Sequence, residues 1–289
     1  MQAYSVFQRD GFDFSVISEG QGPDLVVIGS STYYARAISK TLSQSFRLHF
    51  IDHRGFAPAN RPVSEEDAAL AVISDDLEWL RGQLGLQRFL ILGHSGHGYM
   101  AIDYATRYPE LVSGLVLVGL SPDLGATHQA MTEARFEAEA GAARKARFAQ
   151  DIEQLGSMIE QDPDRKFAHI CCALQARRWA DPTYDESWLW EGLTLHTPLF
   201  DQLWGQVFAT FDMATKAQAV ACPTLLVMGT LDFSIAPIGS WDAVAERFKS
   251  LTIKELAQSG HTPMLEEPEA FNHVLTEWAQ TATQPSQSR

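Results

Sequence analysis

The sequence predicts an α/β fold: a mostly parallel sheet with helices on both faces, interrupted late by a helical insertion. Three observations carry this. Short apolar runs alternate with helix-like stretches over residues 1–120 and again over 219–282. Between them, residues 121–218 contain no strand-like run. Within the first part, the apolar run Arg88-Phe89-Leu90-Ile91-Leu92 leads through Gly93-His94-Ser95-Gly96 into Tyr99-Met100-Ala101-Ile102, which reads as a packed helix. A serine on a tight turn between a buried strand and a helix, with small neighbours, is the context of a nucleophile elbow.

The elements follow in order. Tyr4 to Phe7 and Phe12 to Ser18 read as antiparallel strands joined at Asp10-Gly11. Leu25-Val26-Val27-Ile28 is a short buried strand and Ala35 to Leu42 a helix; Arg47 to Ile51 is the next strand. The acid-rich Ser64-Glu65-Glu66-Asp67 opens a helix running to about Leu84. After the elbow comes the strand Leu115 to Val118. The insertion, residues 121–218, is rich in helix formers, as in Met131 to Arg147, and carries Trp179, Trp188, Trp190 and Trp204. Thr224 to Met228 and Leu251-Thr252-Ile253 restore the strand rhythm, Pro268 to Thr281 closes as a helix, and residues 283–289 form a polar tail expected to be disordered.

Composition excludes several classes. A net charge of −14 lacks the basic footprint of a nucleic-acid surface. The best apolar run, Leu111 to Leu120, falls far short of the ~20 residues that span a bilayer. The residues Met1-Gln2-Ala3-Tyr4 show no export signal. The cysteines Cys171, Cys172 and Cys222 fit a reducing compartment, so a cytoplasmic location is expected. His53, His196 and the other histidines show no ligand spacing, so neither a metal nor a cofactor is expected. The expected partner is a small-molecule substrate; the sequence carries no signal of oligomeric state.

A serine hydroxyl needs a base within hydrogen-bond reach, and the base needs a third group to fix its tautomer. Gly229-Thr230-Leu231-Asp232 puts a carboxylate on the loop after a strand, and Ser259-Gly260-His261-Thr262-Pro263 puts an imidazole on the loop after the last one. Asp232 and His261 are therefore the candidate acid and base for Ser95. Asp123, in Ser121-Pro122-Asp123 after the sixth strand, competes for the acid role. His94 and His97 flank the elbow and are expected to be packed structural residues turned away from the reaction.

These residues, in the order Ser95, Asp232, His261, resemble the α/β-hydrolase superfamily over nearly the whole chain. Asp52-His53-Arg54-Gly55, the elbow with its helix, and Gly260-His261-Thr262-Pro263 are similar to its proline iminopeptidase-like branch. The resemblance implies an eight-stranded sheet, a core over 1–120 and 219–282, and a cap over 121–218. It implies a serine hydrolase acting through an acyl-enzyme on a small-molecule ester or amide, with proline iminopeptidase-like removal of an N-terminal residue as one form of that activity, and with esterase, lactonase and C–C hydrolase as alternatives. A triad-bearing small-molecule receptor is an alternative of another class. Two positions depart from the pattern. His97 stands where the elbow usually has glycine, which follows as Gly98. The usual His-Gly after the third strand is replaced by Gly29-Ser30-Ser31-Thr32-Tyr33-Tyr34. Gly96 is the first expected oxyanion donor. Aligning Gly29-Ser30 with the missing His-Gly makes Ser31 the second, with Ser30 as the alternative. Tyr33, Tyr34, Trp188, Trp190 and Glu191 are the expected substrate contacts. Trp188-Leu189-Trp190-Glu191-Gly192 resembles the stretch whose glutamate pairs with a substrate amine in proline iminopeptidases. A solvated Glu191 after a core tryptophan is the preferred plain reading. Asp52-His53-Arg54-Gly55 is read as a buried charge network beside the site.

Overall fold

The computed structural model describes residues 3–282; the expected tail at 283–289 lies outside the described residues. Eight strands form one sheet in the order β1-β2-β4-β3-β5-β6-β7-β8. They are β1 (Ala3–Arg9), β2 (Phe12–Gly20), β3 (Asp24–Gly29), β4 (Arg47–Asp52), β5 (Phe89–His94), β6 (Val112–Val118), β7 (Thr224–Gly229) and β8 (Leu251–Leu256). β2 pairs antiparallel with β1 and β4, and every other ladder is parallel. Asp10 and Gly11 both adopt positive φ, 49° and 77°, which suits the tight two-residue hairpin that joins β1 to β2. The central strands are buried on both faces, so β5 and β7 read as continuous apolar runs. One apolar cluster packs on each face, with Tyr99 and Ile102 on one and Tyr34 and Phe271 on the other. Among the described residues, no helix is long and apolar enough to cross a membrane.

Two helices differ from expectation. The first, α1, spans Ser31–Ala37, not Ala35 to Leu42. Ser30 starts it early, because its Oγ accepts the Tyr33 N–H at 3.3 Å. Ile38 is extended, and Ser39 then caps a separate 3-10 turn, Lys40–Gln44. The acid-rich Ser64-to-Asp67 stretch forms its own 3-10 turn, Glu65–Ala68, and α2 begins at Leu70 and ends at Leu84. Asp67 explains the break. It closes a capping box with Ser64 and also accepts from Arg54 and Arg61, a set of partners that a continuous helix would not bring together.

From Ala126 to Ala219, between β6 and β7, the ordered elements are helices and helical turns. Arg135 ties this insert to the sheet: its guanidinium donates to the Asp232 and Thr230 carbonyls at 2.7 and 2.6 Å.

Arg54 forms a buried charge cluster with Asp67 and Asp76, extended by Asp10. Removing one partner leaves uncompensated buried charge, although Arg61 still reaches Asp67 and Arg9 still reaches Asp76. Arg54→Ala is therefore expected to lower stability by about 3 kcal/mol, the lower end of what breaking a buried pair costs. Urea unfolding measures it, and a loss well under 1 kcal/mol, the scale of an exposed pair, would contradict the reading.

Candidate active site

Ser95 sits between β5 and α3 (His97–Arg107) with φ 55°, a left-handed conformation for a non-glycine residue. The turn is held by its neighbours. Ser95 N–H donates to the Val118 carbonyl of β6, and the Ser95 carbonyl accepts the Gly98 N–H, each at 2.8 Å. A Cβ on Gly93 would lie 2.6 Å from Gly98 Cα, so strand and helix touch through glycine. This accounts for the shifted elbow pattern: the close contact falls at Gly98, leaving room for His97. The His97 ring occupies the space above Gly29, where an added Cβ would come within 3.1 Å of it. The Gly96 N–H precedes the first bonded amide of α3, that of Gly98, and is therefore the donor offered beside Ser95.

His261 and Asp232 come together as expected. The His261 Nδ1–H donates to Asp232 Oδ2 at 2.6 Å. Ser234 donates its Oγ–H and N–H to Asp232 Oδ1 at 2.5 and 2.9 Å. Burial pushes the Asp232 carboxyl up, but His261 and Ser234 outweigh it and hold it below the usual carboxylate range. Asp123 is engaged elsewhere, accepting from Gly125 and His128. His261 Nε2 is buried without a partner. No hydrogen bond joins it to Ser95 Oγ in this structure, a contact that commonly tightens only when substrate is bound.

Two further carboxylates fix the loops that carry these groups. Glu266 accepts the N–H groups of Ala180, Gly260 and Thr262, at 2.8, 2.7 and 3.3 Å, and so holds the backbone on both sides of His261. Asp52 accepts the Ser31 N–H at 2.6 Å. That bond overturns Ser31 as the second oxyanion donor: its N–H is committed to a carboxylate. Ser30, one residue earlier, lines the cavity with Ser95 and takes the candidacy. Asp52 and Arg54 thus separate, the first acting on this loop and the second in the cluster with Asp67 and Asp76.

The cavity beside Ser95 has a volume of about 30 Å³, room for about two waters. Tyr33, Tyr34 and Trp190 line it, as expected. Trp188 and Glu191 do not: Trp188 is 38% exposed, and the exposed Glu191 touches Arg36 only through its carbonyl. The plain reading of Glu191 holds, because the chain turns outward after Trp190. His94 and His97 are packed and hydrogen-bonded, but they are not turned away, since both line the cavity. The His94 Nε2–H donates to the His261 carbonyl at 2.8 Å, so its Nδ1 accepts from the Tyr34 hydroxyl at 3.2 Å. The Tyr34 oxygen then accepts from His97 Nδ1–H at 2.8 Å. Burial lowers both histidines, His97 to about 3, so both are neutral at pH 7.

Sequence reasoning missed Arg178, Glu186 and the position of Trp204. Trp204 lies on a π-helical turn, Leu203–Val207, and covers Gly96, whose added Cβ would meet its ring at 2.5 Å. Arg178 lines the cavity and pairs with the fully buried Glu186. No local signal singled out Arg178 and Glu186, which stand in one stretch with Arg177, Asp181 and Asp185.

The fold and this geometry define a hydrolase of the α/β-hydrolase class. Residues 27–268 match the family model described as alpha/beta hydrolase fold, and the chain belongs to that family. It is 37% identical to the AB hydrolase superfamily protein YclE of Bacillus subtilis, over 96% of this chain and 99% of that one. It is 28% identical to a pimeloyl-[acyl-carrier protein] methyl ester esterase of Aeromonas salmonicida, over 90% and 97% of the two chains. The solved proline iminopeptidase of Mycobacterium smegmatis shares the fold, with a TM-score of 0.72 at 14% identity over 97% and 99% of the chains.

Burial raises both Asp52 and Glu266 to about 7, against the backbone N–H groups that each accepts. Unfolded, they titrate at 3.8 and 4.5. The folded protein therefore keeps protons that the unfolded chain has released, and the stability they contribute at low pH is lost as pH rises through 7. Asp52→Asn and Glu266→Gln are each expected to gain stability relative to the parent protein between pH 5 and pH 8. Urea unfolding at both pH values measures the difference; a gap that stays constant or narrows in that direction would contradict it.

Proposed function

We propose that Ser95, His261 and Asp232 form the triad of a serine hydrolase that cleaves small-molecule esters through an acyl-enzyme. The observation that carries this is the buried His261–Asp232 hydrogen bond, tied through the His94–His261 bond to an elbow whose serine has positive φ at the head of α3. In the mechanism, His261 Nε2 takes the Ser95 proton as Oγ attacks the carbonyl carbon. The Nδ1 bond to Asp232 fixes the tautomer and stabilises the imidazolium. The N–H groups of Gly96 and Ser30 receive the oxyanion. His261 then protonates the leaving group, and water repeats the sequence on the acyl-enzyme. The helical insert acts as a cap: a cavity of about 30 Å³ is too small for an ester, so the segment bearing Trp204 moves to admit substrate.

Ester cleavage is favoured over removal of an N-terminal residue. Glu191, the residue that would read a substrate amine, is exposed and outside the cavity. The activity for which the Aeromonas salmonicida relative is named, methyl ester esterase, points the same way.

Ser95→Ala is expected to cut p-nitrophenyl acetate turnover by about 10⁴-fold or more, and Asp232→Asn by about 10⁴-fold. Ser95 of the parent protein should label with a fluorophosphonate, and proline p-nitroanilide should turn over more slowly than the ester. Absence of labelling at Ser95 would favour the receptor reading. Loss of activity in Asp123→Asn with Asp232→Asn unaffected would move the acid to residue 123.

A further inference from the structure

Besides the His97 Nε2 acceptor, two side chains at the Ser95 cavity carry hydrogen-bond donors that the protein leaves unused. Arg178 donates from Nε and Nη2 to Glu186 at 2.9 and 3.1 Å, which engages one edge of its guanidinium. Glu186 also accepts from Trp190 Nε1 at 3.3 Å. Among the described residues, Arg178 Nη1 has no acceptor. Its main chain is pinned, because its carbonyl accepts the His261 N–H at 2.5 Å. Tyr33 is 4% exposed, lines the same cavity, and its hydroxyl is buried without a partner. Its ring is wedged between Tyr34 and Trp190, with centroids 5.2 and 4.9 Å away. Much of the remaining wall is aromatic, including Phe56, Phe167 and Trp204. Buried donors without partners are uncommon because each costs the desolvation of that group. The Tyr33 hydroxyl is one such donor, and with the free edge of Arg178 at the same cavity it marks where a ligand oxygen fits.

Charge balance decides what kind of oxygen. Glu186 already neutralises Arg178. Burial keeps the Tyr33 phenol protonated and His94 and His97 neutral. A carboxylate entering here would be a buried anion with no counter-charge left to it, which is costly. A ketone or second carbonyl oxygen accepts both donors without that cost.

The position of this pair assigns it to the acyl side. A separate cavity of about 390 Å³, lined by Ser121, Asp123 and Ser234, opens where Ser234 contacts Asp232 and His261. Trp204 borders both cavities. Ser95 lines the first cavity and not the second, and the acyl group is the part that becomes bonded to Ser95 Oγ, which directs the acyl chain to the first.

We infer that Arg178 and Tyr33 form an oxygen-recognition subsite that selects esters whose acyl chain carries a neutral carbonyl. This rests on the serine hydrolase reading and names its substrate class. The experiment compares kcat/KM for p-nitrophenyl levulinate, pentanoate and hemisuccinate, in the parent protein and in Tyr33→Phe, which keeps the ring and avoids breaking the buried Arg178 pair. Levulinate should exceed pentanoate by about tenfold, the scale of buried hydrogen bonds gained. Hemisuccinate should fall below levulinate. In Tyr33→Phe the levulinate-to-pentanoate ratio should drop about fivefold or more, as expected for one lost hydrogen bond. Equal rates for levulinate and pentanoate, a preference for hemisuccinate, or an unchanged ratio in Tyr33→Phe would each overturn the subsite. Esters hydrolysed without preference would leave the hydrolase standing and remove only this inference. No ester turnover together with no fluorophosphonate labelling of Ser95 would remove both.

Discussion

The site depends on one backbone constraint: a serine held at positive φ where β5 turns directly into α3. A non-glycine residue there is strained by about 1–2 kcal/mol, and the strain persists only because the surroundings over-determine the turn. Two hydrogen bonds fix Ser95 from either side, one to β6 and one from Gly98. The Gly93–Gly98 contact brings strand and helix too close for any Cβ. Relaxing the turn would lift α3 from the sheet and expose a helix that is buried from His97 to Ala105. The packing of that helix therefore stabilises the conformation that presents the hydroxyl.

From this point the rest is held by buried acceptors. Asp232 orients the His261 ring, Glu266 the backbone around it, and Asp52 the loop of Ser30 and Ser31. Each carboxylate receives N–H or O–H groups from segments that follow the ends of the parallel strands. Loops at the ends of parallel strands have no ladder to satisfy their amides, and buried amides need partners. His94 joins the two halves: it lies on β5 beside the serine and donates to the His261 carbonyl. The cavity that results is walled by neutral rings and one internally balanced ion pair, so its electrostatics favour uncharged polar ligands over ions.

The departure at His97 shows how such a site tolerates an unusual residue. Glycine at the next position keeps the helix close, and Gly29, with φ 150°, leaves the room that the imidazole fills. Tyr34 then bonds to both elbow histidines, so the absent glycine is replaced by a hydrogen-bonded aromatic cluster.

The sequence by itself determined what is periodic or local. Strands buried on both faces read as apolar runs, the Asp10-Gly11 turn as a hairpin, and the elbow from its glycines, because each signal lies within a few neighbouring residues. The candidates Ser95, Asp232 and His261 were legible for the same reason, each sitting just beyond a recognisable strand. Tertiary structure alone decided the partners. Asp52 takes the Ser31 amide, which leaves Ser30 as the candidate for the second donor. Asp67 is drawn to Arg54 and Arg61, which splits the expected helix. Glu191 turns outward while Glu186, five residues before it, is buried against Arg178. These outcomes rest on which side chains long-range packing brings within about 3 Å of each other, and no local pattern encodes that distance.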